Sequence, residues 1–419
     1  MPGHRRARVT TVSDVREAAV TGIGLLTPGG VTADATWTAL CRGRGLARTD
    51  PALAGLPVDI SCRIEDLDAE AALGRRLARR LDRSTHLALL AARQAVADAK
   101  LDPAVWRAPR VGVVLGCGGN SLATYQREFD LLGRGQHHLV SPTALTRSVP
   151  SMIAAEVALD LTAQGPNFTV ASACSSGATA LAVARQLIVA GACDIVLAGA
   201  GESGRDRMGA TCFTQLKALS GRTADPERAS RPFDAARDGF VLSEGAAVLV
   251  LEHPDHARRR GAHVRALLRG AASTCDAHHP VAPHPEGAGA EQAMRDALAD
   301  AGCAPRDIGH VNAHGTSTPA GDTAEARALL RLFDGSPPPV TAPKGSLGHA
   351  LGASAAVEAA LTVLTLERRT VPPTANLVAQ TPGQELDVVT SPRPAAPAAA
   401  LTNSFGFGGQ NTVLVLTTP

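Results

Sequence analysis

Short β-branched runs ending in glycine or proline turns alternate with alanine- and leucine-rich helical runs along this chain, and the second half repeats the first. AAVTGIGLLTP, RVGVVLGCG, FTVASAC, DIVLAGAG and GAAVLVLE read as strands, since apolar runs of strand length stop at turn residues. Ser84–Lys100 and Ala178–Ala190 carry apolar residues at i, i+3, i+4 spacing, and the second is apolar all round, as a buried helix is. This alternation predicts an α/β fold with mainly parallel sheets. Further on, VRALLRGAAST echoes the opening strand, HVNAHGTST echoes VLGCGGNS, and NTVLVLT echoes AAVLVLE. GHALG before ASAAVEAALTVLTL is the counterpart of CSSG before ATALAVARQLIVAG. Self-similarity over half a chain predicts two similar halves about a pseudo-twofold axis. The charged run HPDHARRRGAH marks their boundary, giving halves 18–260 and 261–419 after an extension, 1–17, expected to be flexible.

A chain of 419 residues can bury a large core without disulfide or metal staples. Its eight cysteines, at 41, 62, 117, 174, 193, 212, 275 and 303, form no CxxC pair and no zinc-ligand spacing with histidine. Reduced thiols and no metal site are expected. Lys+Arg 41 against Asp+Glu 39, with only 8 Phe, 2 Trp and 1 Tyr to stack on bases, excludes a general nucleic-acid binder. The N-terminus lacks the apolar core of a secretory signal, and no stretch approaches the roughly 18 apolar residues of a membrane span. A soluble, cytoplasmic protein without a membrane partner is expected.

Four segments concentrate chemistry. In FTVASACSSGATALAVARQLI a strand runs into a small-residue turn, and a helix starts at about Ser175. Cys174 therefore stands at a helix N-terminus, where unsatisfied N–H groups and the dipole favour thiolate. A buried inert thiol is the alternative, but a strand–turn–helix elbow suits a nucleophile. His314 ends the apolar run HVNAHGTST and reads either as a catalytic histidine or as a satisfied core one. His310, four residues earlier, has no third ligand beside it, so no metal is inferred. His349 lies in APKGSLGHALGASAAVE, with Lys344 before it and Glu358 after it. On their own those two read as a solvated lysine and a helix-surface carboxylate. A histidine at a helix start stays neutral, and its Nε2–H can donate to an oxyanion. The closing NSFGFGGQNTVLVL sets Phe405 and Phe407 among glycines, whose N–H groups can serve an oxyanion hole or merely a tight turn. GCGGNS and GFGGQN both fail the dinucleotide spacing.

Together with RPFDAARDGFVLSEGAAVLVLE and NAHGTSTPAGDTAEA, these segments resemble the β-ketoacyl-acyl carrier protein synthases, the elongating ketosynthases of the thiolase-like superfamily, from about Ala18 to Leu416. A Cys with two His separates them from the Cys-His-Asn enzymes, and the lack of any Cys beyond 303 separates them from degradative thiolases. The resemblance implies a thiolase-like fold in a layered αβαβα arrangement. It implies that Cys174 accepts an acyl chain from a carrier thioester. His314 and His349 would bind the carbonyl of a malonyl-type extender and stabilise the enolate as CO2 leaves, and the carbanion would attack acyl-Cys174. The N–H groups of Cys174 and Phe407 would form the oxyanion hole, with the Phe407 ring as gate. Lys344 and Glu358 would hold His349, with Asn403 and Phe405 in support. Thr316 and Thr318 would hold the phosphopantetheine arm of the acyl carrier protein, so no permanently bound cofactor is implied. A structural monovalent cation near Asn312, Glu358 and Ser404 follows by analogy. Carrier partners in such systems are acidic, so Arg75, Arg76, Arg79, Arg80 and Arg83 of RRLARRLDR form a docking face, a merely solvated face being the alternative.

Three departures from fatty acid elongation enzymes stand out: Gly119 where a bulkier side chain often limits the acyl pocket, Gln410 in place of Thr, and the Arg-rich extension. They favour a type II polyketide or polyene ketosynthase, as a homodimer or paired with a chain-length-factor-like subunit; fatty acid elongation is the alternative. A non-catalytic chain-length subunit would lack the nucleophile that this chain keeps.

Overall fold

A computed structural model describes residues 17–65, 67–119 and 122–419, so the expected flexible extension lies outside the described residues but for Glu17. Ten strands carry the architecture: β1 (Ala18–Leu26), β2 (Val111–Gly116), β3 (Asn167–Val170), β4 (Ile195–Ser203) and β5 (Leu242–Glu252) in the first half. In the second half come β6 (Ala266–Cys275), β7 (His310–Asn312), β8 (Val340–Thr341), β9 (Ala399–Gly406) and β10 (Gln410–Thr417). They hydrogen-bond in the order β8-β7-β9-β10-β6-β1-β5-β4-β2-β3. Outward from the centre the halves read β1-β5-β4-β2-β3 and β6-β10-β9-β7-β8, the same order twice. The echoed segments thus occupy equivalent places. The two leading strands join the halves through an antiparallel seam of three residue pairs, Ala18↔Leu268, Ala19↔Leu267 and Val20↔Ala266.

The sheets are mixed rather than mainly parallel. In each half the strands after the leading one pair parallel (β2 with β3 and β4; β7 with β8 and β9), while the last strand returns antiparallel. The return is forced in the second half because β9 and β10 are joined by the tight turn around Phe407, too short for a crossover.

Six helices fill the layers: α1 (Arg83–Asp98), α2 (Ser151–Leu161), α3 (Ser176–Val189), α4 (Ala288–Ala301), α5 (Pro319–Leu332) and α6 (Ser354–Arg368). Side chains of α3 and α6 share one core with the inner faces of both half-sheets, including Val196, Leu249 and Leu414. Outside, α1 and α2 cover the first half-sheet through Leu89 and Val157, and α4 and α5 cover the second through Met294 and Leu329. The result is an αβαβα sandwich. The central helices are built from small residues because they nearly touch. A Cβ at Gly177 would come within 2.6 Å of the Ala356 nitrogen. The all-round burial expected of α3 belongs to α6, whose residues Ser354–Leu366 are all buried, whereas α3 leaves Gln186 exposed. No helix among the described residues is long and apolar enough to cross a membrane.

Candidate active site

In each half the third strand ends in a turn that leads to a central helix, and both turns open onto one cavity. At the first turn the chain leaves β3, passes through Ala173 with φ +49° and enters α3 at Ser176. Ser176 Oγ accepts the Ser172 N–H at 2.9 Å and donates to the Ala173 carbonyl at 2.6 Å, which fixes this sparsely populated conformation. Cys174 is left partly exposed at the cavity wall, its sulfur within reach of the backbone N–H groups of Cys174 itself and of Phe407. Burial pushes the thiol up to about 11 against the positive charge of Lys344, and buried Glu202 adds to the rise. Desolvation thus opposes the thiolate expected from the helix terminus.

Phe407 reaches Cys174 from the β9–β10 turn, where Gly408 (φ +80°) and Gly409 (φ +71°) adopt left-handed conformations open to glycine. The Gly408 N–H donates to the Pro280 carbonyl at 2.7 Å and Asp276 N–H donates to the Gly409 carbonyl at 2.9 Å, so the turn is tied to a loop across the cavity.

The second turn begins with the short helix Lys344–Leu347 and reverses at Gly348. His349 is pinned by its backbone: its N–H donates to the Val241 carbonyl at 2.8 Å and its carbonyl accepts from Ser243 at 3.0 Å. Its Nδ1 lies 2.9 Å from Ser354 Oγ, and its ring packs edge-on to Phe240 at 5.2 Å. His314 follows β7. The carboxylate of Glu325, on α5, accepts the N–H groups of His314 (2.9 Å) and Gly315 (2.8 Å) and the side-chain amide of Asn403 (3.0 Å). The two imidazoles stand 5.6 Å apart, nearly perpendicular.

Lys344 is 2% exposed. Its ammonium pairs with Glu358, donates to the His314 carbonyl at 2.7 Å and stands 3.5 Å from His314 Nδ1. Here the structure corrects the expectation: Lys344 and Glu358 hold His314, not His349, whose ring is held by Ser354. An ammonium can only donate, so its place beside Nδ1 leaves the His314 proton on Nε2. Burial drives both histidines well below the usual imidazole range, with the charge of Lys344 acting the same way. Both are therefore neutral. Burial also lifts Glu358 to about 7 against the pull of Lys344.

The cavity, about 340 Å³, is lined by Cys174, His314, His349, Phe407, Thr316 and Thr318 among others. The two threonine hydroxyls lie 3.0 Å apart, and Thr318 caps α5 by accepting the Gly321 N–H at 3.2 Å. The Phe405 ring packs against His314 at 5.7 Å. Behind the histidines, Asn312 Oδ1, Glu358 Oε2 and Ser404 Oγ are buried with no hydrogen-bond partner. Orphaned hard oxygens of this kind fit a monovalent cation. No cluster of three or more His, Cys, Asp or Glu suited to a metal occurs among the described residues.

The docking arginines do not form one face. The helix Arg75–Arg80 stops at Leu81, and Arg83 begins α1, where its guanidinium turns inward to bind both oxygens of buried Glu244 at 3.0 Å. Arg79 pairs with Glu70 and Arg80 with Glu156, leaving Arg75 and Arg76 exposed and without an ion-pair partner among the described residues.

Four polar residues that sequence reasoning passed over shape the site: Ser354, Glu325, Asp322 and Glu202. Asp322 accepts the N–H groups of Phe233 (2.7 Å) and Ser317 (3.1 Å), bracing the threonine loop. Glu202 accepts those of Gly118 (3.0 Å) and Gly352 (2.7 Å), linking the turn after β2 to the turn after His349. The one local signal was the pair of acidic residues early in α5, which also reads as ordinary helix N-terminal charge.

Residues 16–257 match the N-terminal domain of the beta-ketoacyl synthase family, and residues 265–378 match its C-terminal domain. A 3-oxoacyl-[acyl-carrier-protein] synthase 2 of Synechocystis sp. is 38% identical over 411 residues, 95% of this chain and 97% of the relative. Among solved structures, the ishigamide ketosynthase/chain length factor superposes with TM-score 0.90 at 29% identity, over 96% of this chain and 99% of that one. A type II polyketide synthase assembly, AntDE:AntF, holds an acyl-carrier protein with its ketosynthase bound to the hexaketide; it superposes with TM-score 0.90 at 28% identity, over 96% of this chain and 100% of that one.

Proposed function

This chain belongs to the β-ketoacyl synthase family and is a ketosynthase enzyme of the acyltransferase type with a thiolase-like fold, and from that premise we propose how its own residues divide the condensation and which pathway it serves. The observation that carries the mechanism is the convergence of Cys174, His314 and His349 on one cavity. Cys174 sulfur attacks the thioester carbonyl of an acyl chain on the phosphopantetheine arm of an acyl carrier protein. The oxyanion is received by the N–H groups of Cys174 and Phe407; the arm leaves as a thiol carrying the proton Cys174 gave up. A malonyl-carrier then places its thioester oxygen against Nε2–H of both histidines. CO2 departs with cleavage of the carbon–carbon bond, whose electrons become the enolate that the two neutral donors hold. The enolate carbon attacks acyl-Cys174, and collapse of the adduct breaks the carbon–sulfur bond, releasing the 3-ketoacyl-carrier product and a Cys174 thiolate that takes a proton from water to regain the resting thiol.

Thr316 and Thr318 take the arm, Phe407 gates the cavity, Asn403 acts through Glu325, and Phe405 buttresses His314. A monovalent cation held by Asn312, Glu358 and Ser404 would supply fixed positive charge behind the histidine pair. The carrier docks on Arg75 and Arg76. The halves are 18–260 and 261–419, and the protein works in the cytoplasm.

The pathway is type II polyketide or polyene synthesis, with a homodimer or a chain-length-factor-like partner as the assembly. Support comes from Gly119: among the described residues a Cβ there would meet Glu202 Oε1 alone, at 3.6 Å, an ordinary van der Waals contact, so no packing among them demands the glycine. The identity to a 3-oxoacyl-carrier synthase 2 favours the second reading, fatty acid elongation. The test supplies the purified enzyme, alone and with its co-expressed neighbour subunits, with malonyl-carrier and either saturated or polyunsaturated acyl-carriers, and follows Cys174 adducts by intact mass. Polyenoyl adducts and extension, reduced by Gly119→Ile, support the polyketide role. Turnover confined to saturated chains supports elongation, and the absence of any adduct overturns both.

A further inference from the structure

Ser354 has no part in the scheme above, yet it is the side chain that touches His349 most closely in polar terms. It opens α6, is 4% exposed, and its Oγ lies 2.9 Å from His349 Nδ1. The same oxygen accepts the Ala350 N–H at 2.9 Å. A hydroxyl has one proton to give and two lone pairs. With one lone pair taken by Ala350, the proton remains free, and Nδ1 is an acceptor at hydrogen-bond distance.

We propose that Ser354 is a positioning residue that sets the tautomer of His349: its hydroxyl donates to Nδ1, and the ring proton is thereby held on Nε2, facing the cavity. This rests on the ketosynthase reading of the cavity, because the enolate oxygen is what needs that Nε2–H. The opposite tautomer would aim a bare Nε2 lone pair at a developing negative charge and would leave the serine proton without its acceptor, both unfavourable in a buried site. The ring cannot evade the choice by taking a second proton, because burial and Lys344 keep it neutral. The two histidines are thus set by different means. A lysine ammonium fixes His314 and a serine hydroxyl fixes His349.

The test has two arms. Ser354→Ala is expected to slow decarboxylation of malonyl-carrier about fivefold to tenfold, the effect of losing one oriented hydrogen bond, with acylation of Cys174 unchanged. Ser354→Thr, which keeps the hydroxyl, should restore most of the rate. In parallel, nitrogen-15 NMR of histidine-labelled enzyme, assigned with His349→Gln, should show Nε2–H for His349 in the wild type and a mixture in Ser354→Ala. An unchanged tautomer, or an equal fall in both half-reactions, overturns the proposal. If the wild type fails to decarboxylate malonyl-carrier, the ketosynthase reading falls by itself, while the NMR arm still decides the tautomer.

Discussion

The two turns to which the chemistry is assigned above are the same device used for different ends. Each follows the third strand of its half and leads into a central helix, and the helices cross where Gly177 meets Ala356. The first turn holds Ala173 in a left-handed conformation and presents sulfur to two backbone donors. The second is fastened by backbone bonds to Val241 and Ser243 and presents a neutral ring. The first strand is an exposed edge, β3, whereas β8 is buried. Duplication supplies two converging turns; what each does is decided by one side chain and by what its neighbours do to its proton. Burial keeps the thiol protonated and the imidazoles deprotonated, opposite consequences of a single rule, that low dielectric disfavours charge.

The comparison breaks first if the two turns cannot be disabled separately. Cys174→Ala should cut condensation on the order of 10⁶-fold, the scale of losing a covalent nucleophile, while malonyl-carrier is still decarboxylated; loss of both activities would show that the turns act as one unit. The mirror case is His349→Ala, for which decarboxylation should fall about 10²–10³-fold, the scale of one oxyanion donor, with acyl-Cys174 still detected by mass. Removing the support of the partner histidine tests stability rather than rate. Lys344→Ala leaves Glu358 buried without its cation and should cost about 3–5 kcal/mol, read from urea midpoints; a cost near zero would deny the pair its role.

The smallest expected effect concerns Glu202, which ties the two turns' surroundings together. Burial lifts its carboxyl from the ordinary 4.5 to about 7. Between those values the folded protein holds a proton that the unfolded chain has released, so stability from this group is present below pH 4.5 and is lost as pH rises to 7. Glu202→Gln cannot ionise. Its melting temperature relative to wild type should climb across that window and level off above it, and a flat difference would mean that Glu202 is ionised throughout.

What could be read from the sequence was what is local. Cys174 and His349 sit in short turns whose glycines, small residues and following helices all lie within a few positions, and the repeated strand pattern needs only self-comparison. What could not be read was who sits beside whom at long range. Arg83 looked like part of a charged helix face, but its partner Glu244 lies 161 residues away. Glu358 was paired in expectation with the nearer histidine in sequence, His349, whereas its partner Lys344 reaches back 30 residues to His314. The mixed sheet escaped for the same reason: strand direction depends on how the chain returns, and periodicity carries no sign of direction.

The two backbone N–H groups that reach the Cys174 sulfur, proposed above as the oxyanion donors, come one from each half: Cys174 from the turn after β3 and Phe407 from the β9–β10 turn. The molecule is modular in sequence but indivisible in action. Any insertion that lets the halves hinge about their three-pair seam would separate those donors and open the core that α3 and α6 share with both half-sheets.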